Sequence, residues 1–297
     1  MNILLLHNPT AGDDRPSERE LVELLRDARH DVSRVATDDP QLAHRMVEKV
    51  DLLLIAGGDG TVATVLEKVE GGSAPIGILP LGTANNLART FGIEGDIEEL
   101  IEGLADGELA PVDFGIADGP WGRTRFFESA GFGALAEGLG PVNAARVPSA
   151  EKIPSGRRAL RETFGRMEPA LLQVTIDGER QDERLLMLEL ARVDTLGPRL
   201  CLAPGATPGD GTIHVVTLAP EAREDMLRWL EDPDGQAEAP VRVRRARQVE
   251  VAWVDTASHL DDNFFERPEQ PCRMKASIEL AAVRILRPAR RIGGSKR

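Results

Sequence analysis

The chain has 297 residues, 41% of them hydrophobic and 29% charged, enough for two domains with separate cores. Its formal net charge of -13 argues against a general nucleic-acid binder and against constitutive attachment to an anionic bilayer, since both use positive surface potential. Cys201 and Cys272 are the only cysteines, too few for a disulfide framework and without the spacing of a structural zinc site.

No run approaches the roughly 18 consecutive apolar residues of a membrane span. The opening "MNILLLHNPTAG" has neither the basic segment nor the cleavage site of a secretory signal, so the expected location is cytoplasmic. The tail "LRPARRIGGSKR" stands apart from the acidic whole. Arg287, Arg290, Arg291, Lys296 and Arg297 read as a solvated basic terminus, with transient contact to an acidic membrane as the alternative.

In chain order, "NILLL" predicts a short buried strand. A polar turn follows, and then "SERELVELLRDARH", where Leu21, Leu24, Leu25 and Ala28 recur at helical spacing and Ser17 with Glu20 has the spacing of a capping box. The alternation continues: "DVSRVAT" as a strand, "DPQLAHRMVEKV" as a helix, "DLLLIA" as a strand apolar on both faces, and "TVATVLEKV" as a helix. "APIGILPLG" supplies another strand and "DIEELIEGLADG" another helix. Strands without a polar face, alternating with helices, indicate a parallel sheet covered on both sides.

After "VDFGIAD" the texture changes. "RTRFFESAGFG", "ALLQVTIDGER", "RLLMLELARV", "RLCLAPG", "GTIHVVTLA", "VRVRRARQVEVAWV" and "RMKASIELAAVRIL" are strand-like, separated by Gly, Pro and Asp. Helices are expected only in "AARVPSAEKIPSGRRALRETFGRM" and "PEAREDMLRWLED". The predicted architecture is an α/β domain over residues 1–115 and a mainly antiparallel β-sandwich over residues 116–297, with the last strand crossing back to the first domain.

The stretch "LLLIAGGDGTVATVLE" carries the sharpest local signal. A buried strand ends in Gly57, Gly58, Asp59 and Gly60 and runs straight into a helix at Thr61. Amides at a helix start are unpaired and partly positive, and glycines let a phosphate approach them closely. The bland alternative is a tight strand-to-helix turn. "GDGTVA" formally fits the dinucleotide fingerprint, but so does "GFGALA" (Gly131 to Ala136), and "GILPLG" stands where an acidic residue about 20 positions on would complete a Rossmann site. No P-loop pattern is present.

"NPTAG" (Asn8 to Gly12), "GGDGT" (Gly57 to Thr61) and "PLGTANNLAR" (Pro80 to Arg89), in this order, resemble the catalytic domain of diacylglycerol kinases, and in particular the bacterial YegS-like lipid kinases. The resemblance extends to "APGATPGDG" (Ala203 to Gly211) and "HLDD" (His259 to Asp262), and so covers most of the chain. "GGDGT" alone is shared with NAD kinases and 6-phosphofructokinases.

The resemblance implies an ATP-dependent lipid kinase whose nucleotide lies between the two domains, using Mg2+ and phosphorylating an acylglycerol-like or sphingoid hydroxyl at a membrane surface. Gly57, Gly58, Asp59, Gly60, Thr61, Val62 and Ala63 would line the phosphate site, Asp59 orienting the magnesium that accompanies ATP. Thr83 and Thr37 would contact the nucleotide, and Asn8 would brace the facing turn. Asp261 would be the base that takes the proton from the lipid hydroxyl, with Asp262 one residue away as the alternative. Asp262 and Asn263 depart from the family's glycine and glutamate.

A second, structural magnesium would be held by the Asp210 carboxylate with carbonyls of Thr207 and Thr212. Asn86 stands where aspartate is usual, and Glu128 is the expected offset for the lost charge. The remaining histidines, His7, His30, His44 and His259, have no metal spacing and read as surface or turn residues. Two rivals are kept: an NAD kinase-like enzyme, and a catalytically silent lipid- or nucleotide-binding protein. No nucleic-acid partner is expected, and a homodimer is left open.

Overall fold

The computed structural model describes residues 1–8, 16–69, 73–145 and 147–289. Most of "NPTAG" (Pro9, Thr10, Ala11, Gly12) and the tail cations Arg290, Arg291, Lys296 and Arg297 lie outside the described residues. The chain divides into two compact units, one of Met1–Val112 together with the C-terminal segment that begins at Ala281, the other of Asp113–Leu280.

In the first unit β1 (Asn2–His7), α1 (Glu18–Asp27), β2 (Asp31–Ala36), α2 (Leu42–Met46), β3 (Leu52–Gly57), α3 (Asp59–Lys68), β4 (Ile76–Pro80), α4 (Asn86–Thr90) and α5 (Ile97–Glu102) follow one another. The strands pair in parallel in the order β2-β1-β3-β4. Every residue of β3 is buried, as its apolar run requires of a central strand. α1 starts on the expected capping box, with the Ser17 amide donating to Glu20 Oε2 at 2.6 Å and the Glu20 amide to Ser17 Oγ at 3.3 Å. α2 is much shorter than the helix read from "DPQLAHRMVEKV". It buries Leu42 and Met46, but Val47, Glu48 and Lys49 are exposed, so no packing is available to prolong it.

The second unit contains β5 (Glu108–Gly119, which carries the chain across the division), β6 (Gly122–Phe126), β7 (Ser129–Gly133), α6 (Ala134–Ala144), α7 (Ser149–Arg166), β8 (Ala170–Ile176), β9 (Glu179–Leu185), β10 (Met187–Ala191), β11 (Thr195–Leu196) and β12 (Leu200–Cys201). After these come β13 (Ile213–Leu218), α8 (Arg223–Trp229), β14 (Arg242–Ala246), β15 (Gln248–Trp253), β16 (Ser258–Leu260), β17 (Asn263–Phe265) and β18 (Cys272–Arg287).

One sheet runs β14-β13-β10-β7-β16-β17, and β18, β15, β8 and β9 pair antiparallel in another. Phe132, Leu188, Leu190 and Val215 from the first pack with Leu172, Val174, Val249, Val251 and Met274 from the second in one buried cluster, the core of a β-sandwich. α6 was not read from the sequence; it starts directly after Gly133, whose φ of 89° only glycine adopts readily. β18 leaves this unit at its far end, where Ile285 pairs in parallel with Ile76 of β4 in the first unit.

Candidate active site

In the first unit the carboxyl ends of β1 and β3 are neighbours, and the chain leaves them in opposite directions, towards β2 and β4. Open α/β sheets bind ligands at such a switch point. Here β3 ends in Gly57 and α3 begins at Asp59, with Gly58 as its cap. The Thr61 and Val62 amides each donate to the Gly58 carbonyl at 3.0 Å. The amides ahead of them, on Gly58, Asp59 and Gly60, open the helix at the positive end of its dipole.

Glycine is required by crowding. A Cβ on Gly57 would lie 2.5 Å from Thr61 Cβ, and one on Gly58 2.8 Å from Gly82 Cα. Two turns thus cross backbone on backbone. The Gly82 loop is held by Asn85, in a left-handed conformation with φ of 53°, whose amide donates to the Gly82 and Pro80 carbonyls at 2.8 and 3.2 Å.

Asn8 Nδ2 donates to Thr61 Oγ1 at 2.9 Å, bridging the two strand ends of the switch point. Asp59 Oδ1 accepts the Leu87 amide at 3.1 Å, tying the start of α3 to α4. Thr37 is buried beyond β2, its amide donating to the His7 carbonyl at 3.0 Å, and Thr83 is half-buried in the Gly82 loop. Ala63 is half-buried one turn into the helix. Val62 corrects the expected phosphate lining: its side chain belongs to the core and its amide is spent on Gly58.

In the second unit Asp261 has φ of 46°. Its Oδ1 accepts the amides of Phe127, Glu128 and Ser129 at 3.1, 2.7 and 3.1 Å, and its Oδ2 accepts the Phe127 amide at 2.9 Å. These amides explain why "RTRFFESAGFG" is two strands and not one, since the chain breaks between β6 and β7 to turn three N–H groups onto one carboxylate. Burial raises the Asp261 carboxyl, the three amides pull it back and the neighbouring Asp262 charge raises it further, leaving it at about 7. Asp262 is exposed and accepts from Asn143 Nδ2 at 3.3 Å.

The expected structural magnesium meets a donor set that does not suit it. Asp210 Oδ1 accepts the Thr212 amide and hydroxyl at 2.9 and 3.0 Å, and Oδ2 lies 2.7 Å from His214 Nε2. The Thr212 carbonyl accepts from the guanidinium of Arg192, and the Thr207 carbonyl accepts the Gly209 and Asp210 amides at 2.8 and 3.2 Å. Arg192 is 1% exposed and also faces Asp113 Oδ2 at 3.8 Å and Asp210 Oδ1 at 3.9 Å. Burial works against the Asp210 charge, but the bonds from His214 and Thr212 hold its carboxyl below the usual value. Every oxygen assigned to the metal is occupied by a protein donor, and a guanidinium already supplies positive charge. Thr207, Asp210 and Thr212 therefore form a loop closed by Arg192, and the reading of them as metal ligands is withdrawn.

Three residues of this unit were missed in sequence reading. His259, read as a turn residue, is buried against Asp261. Glu189 and Arg192 are fully buried charges within "MLELARV". The available signal was a lone acid and a lone base inside a strand apolar on both faces.

Known proteins resemble this chain in sequence and fold. The family model of the diacylglycerol kinase catalytic domain matches residues 2–117, and that of the YegS C-terminal NAD kinase beta sandwich-like domain matches residues 129–285. A "Diacylglycerol kinase" of Mycobacterium tuberculosis is 25% identical over 283 residues, covering 91% of this chain and 85% of the relative. A "Probable lipid kinase YegS-like" of Pseudomonas aeruginosa is 27% identical over 299 residues, covering 97% and 94%.

Among solved structures, a diacylglycerol kinase from Bacillus anthracis str. Sterne superposes with a TM-score of 0.69 at 18% identity, covering 98% of each chain. An NAD kinase from Archaeoglobus fulgidus in complex with ATP gives 0.53 at 11%, covering 97% of this chain and 94% of that one. At these identities the superpositions establish the fold.

Proposed function

The chain belongs to the diacylglycerol kinase family, its second half to the YegS branch, and from that membership we propose that it is an ATP-dependent lipid kinase. It passes the γ-phosphate to the hydroxyl of a diacylglycerol-like or sphingoid acceptor. The observation that carries this reading is Asp261: a carboxylate in a left-handed turn, gripped by three amides and raised to about 7, which suits a general base working near neutral pH.

The amides of Gly58, Asp59 and Gly60 receive nucleotide phosphate, and Asp59 offers the hard oxygen that a magnesium carried on ATP prefers. That ion would neutralise charge on the phosphates. Asp261 accepts the proton as the lipid oxygen attacks phosphorus and the bond to the β-phosphate oxygen breaks. Alignment and charge neutralisation supply most of the acceleration, as in phosphoryl transfer generally. Among the described residues no helix is long and apolar enough to cross a membrane, so the acceptor is met at a bilayer surface in this reading.

A panel of lipids with labelled ATP tests it. Product label that requires added lipid, falling by about 100-fold or more in Asp261→Asn, is the expected result. Labelling of NAD in place of lipid would move the protein to the NAD kinase reading, and equal turnover by wild type and Asp261→Asn would place the base elsewhere.

A further inference from the structure

One row of residues crosses three strands of the sandwich behind Asp261. Glu189 on β10 is in register with Gly131 on β7, and Gly131 with His259 on β16. The glycine leaves the middle of the row empty of side chain, and its neighbours reach each other over it: His259 Nε2 lies 3.1 and 3.0 Å from the two Glu189 carboxylate oxygens. A Cβ on Gly131 would stand 2.1 Å from Glu189 Oε1 and 2.3 Å from His259 Nε2. The space is reserved for this contact. Glu189 is 0% exposed and His259 5%.

The other ring nitrogen, Nδ1, lies 3.0 Å from the carbonyl oxygen of Asp261. Both nitrogens face oxygens that only accept, and an imidazole donates from both only when it is the imidazolium. Glu189 is then its counter-ion. Burial alone would discharge the ring, but the Glu189 charge and hydrogen bond, with the Asp261 carbonyl, raise its affinity for the proton. An ion pair this deep is expensive to desolvate, and an apolar pair would fill the row at less cost. Its contact with Asp261 suggests what it is kept for.

We propose that the Glu189–His259 pair is the positioning device of Asp261. The imidazolium holds the Asp261 carbonyl, so that the residue keeps its left-handed turn with the carboxylate in the amide cradle, and it places positive charge behind that carboxylate. His259 and Glu189 are positioning residues, and the inference rests on the reading of Asp261 as the base. The groups facing Asp261 are His259 on β16 just before it, Asp262 next to it, and the three amides between β6 and β7. Those facing His259 are Glu189 from β10, Asp261, and the Phe264 ring of β17 at 5.6 Å. Among these groups only His259 is cationic.

The test follows the Asp261 carboxyl by 13C NMR and the His259 ring by 15N NMR in aspartate- and histidine-labelled protein, for wild type, His259→Gln and the double variant Glu189→Gln with His259→Gln. In wild type the ring should hold both protons through pH 8. Loss of the cation should raise the Asp261 midpoint by about one pH unit and move the acid limb of the kcat profile by the same amount, with KM for ATP little changed. The double variant keeps the row filled by amides without a buried charge, so it decides the question if His259→Gln alone does not fold.

A neutral single tautomer in wild type, or an unmoved Asp261 midpoint in a folded variant, would overturn the proposal. Wild-type protein without lipid-dependent turnover would instead remove the kinase reading, and the two NMR titrations would still decide whether the pair governs Asp261.

Discussion

The two candidate regions, the glycine turn of the first unit and the Asp261 centre of the second, are built from different materials. The turn after β3 is made by backbone: glycines at 57, 58 and 82 let two segments cross, and the polar groups it presents are the amides of a helix start. The Asp261 centre depends on buried or half-buried charge: Asp261 held by amides, His259 bonded to Glu189 and to the Asp261 carbonyl and, in another cluster, Arg192 facing Asp113 and Asp210 as ion pairs. A backbone site is sensitive to one added methyl group. A charge site is sensitive to the loss of one partner.

That contrast can be broken in order of expected effect. Arg192→Met removes a buried guanidinium from beside the buried Asp113 and the half-buried Asp210 and should destabilise the protein by about 3–5 kcal/mol in urea titration. If a cation site lay there instead, Mg2+ would raise the melting temperature of wild type but not of Asp210→Asn; the expected result is that both respond alike. Gly131→Ala drives a methyl group into the Glu189–His259 contact and should cost about 2–3 kcal/mol, with the pH profile of turnover displaced.

Gly58→Ala should cost about 1–3 kcal/mol through its collision with Gly82, and should weaken ATP binding at least tenfold in calorimetry while leaving the acidity of Asp261 in place. If both glycine variants moved the same parameter, the separation between the two kinds of site would fail.

Asp261 sharpens it further through pH. Its carboxyl sits at about 7 in the folded protein against 3.8 for an ordinary aspartate, so between those values the folded chain holds a proton that the unfolded chain has released. Stability should therefore fall as pH rises from about 4 to 7. Asp261→Asn should flatten that slope in denaturant titrations over the same range. The smallest effect belongs to Asn8→Ala, which removes the 2.9 Å bond to Thr61 and should cost about 1 kcal/mol.

How far each half was legible follows from the distance over which its parts are set. Gly57 to Thr61 are contiguous, and a buried strand followed by glycines and a helix start reads as an anion-binding turn without knowledge of any other segment. Asn8 was expected beside that turn from the resemblance of its motif, whereas the approach of Gly82 to Gly58 came from the fold. The Glu189–His259 pair joins residues 70 apart in the chain, and nothing local in "SHLDD" marks its histidine as a buried cation. The Asp210 loop misled for the same reason: the resemblance implied Thr207, Asp210 and Thr212 as magnesium ligands, and Arg192, whose guanidinium bonds the Thr212 carbonyl, comes from a distant segment just past β10.

Hydrophobic periodicity, glycine placement and a capping box are properties of neighbouring residues, so the sequence alone determined the α/β first half, the largely antiparallel second half and the glycine turn that joins β3 to α3. Protonation and charge pairing depend on burial and on partners brought in from elsewhere in the chain. Only the tertiary structure could therefore decide that Asp261 is raised towards neutrality, that His259 lies between Glu189 and Asp261, and that the cation at Asp210 is a guanidinium.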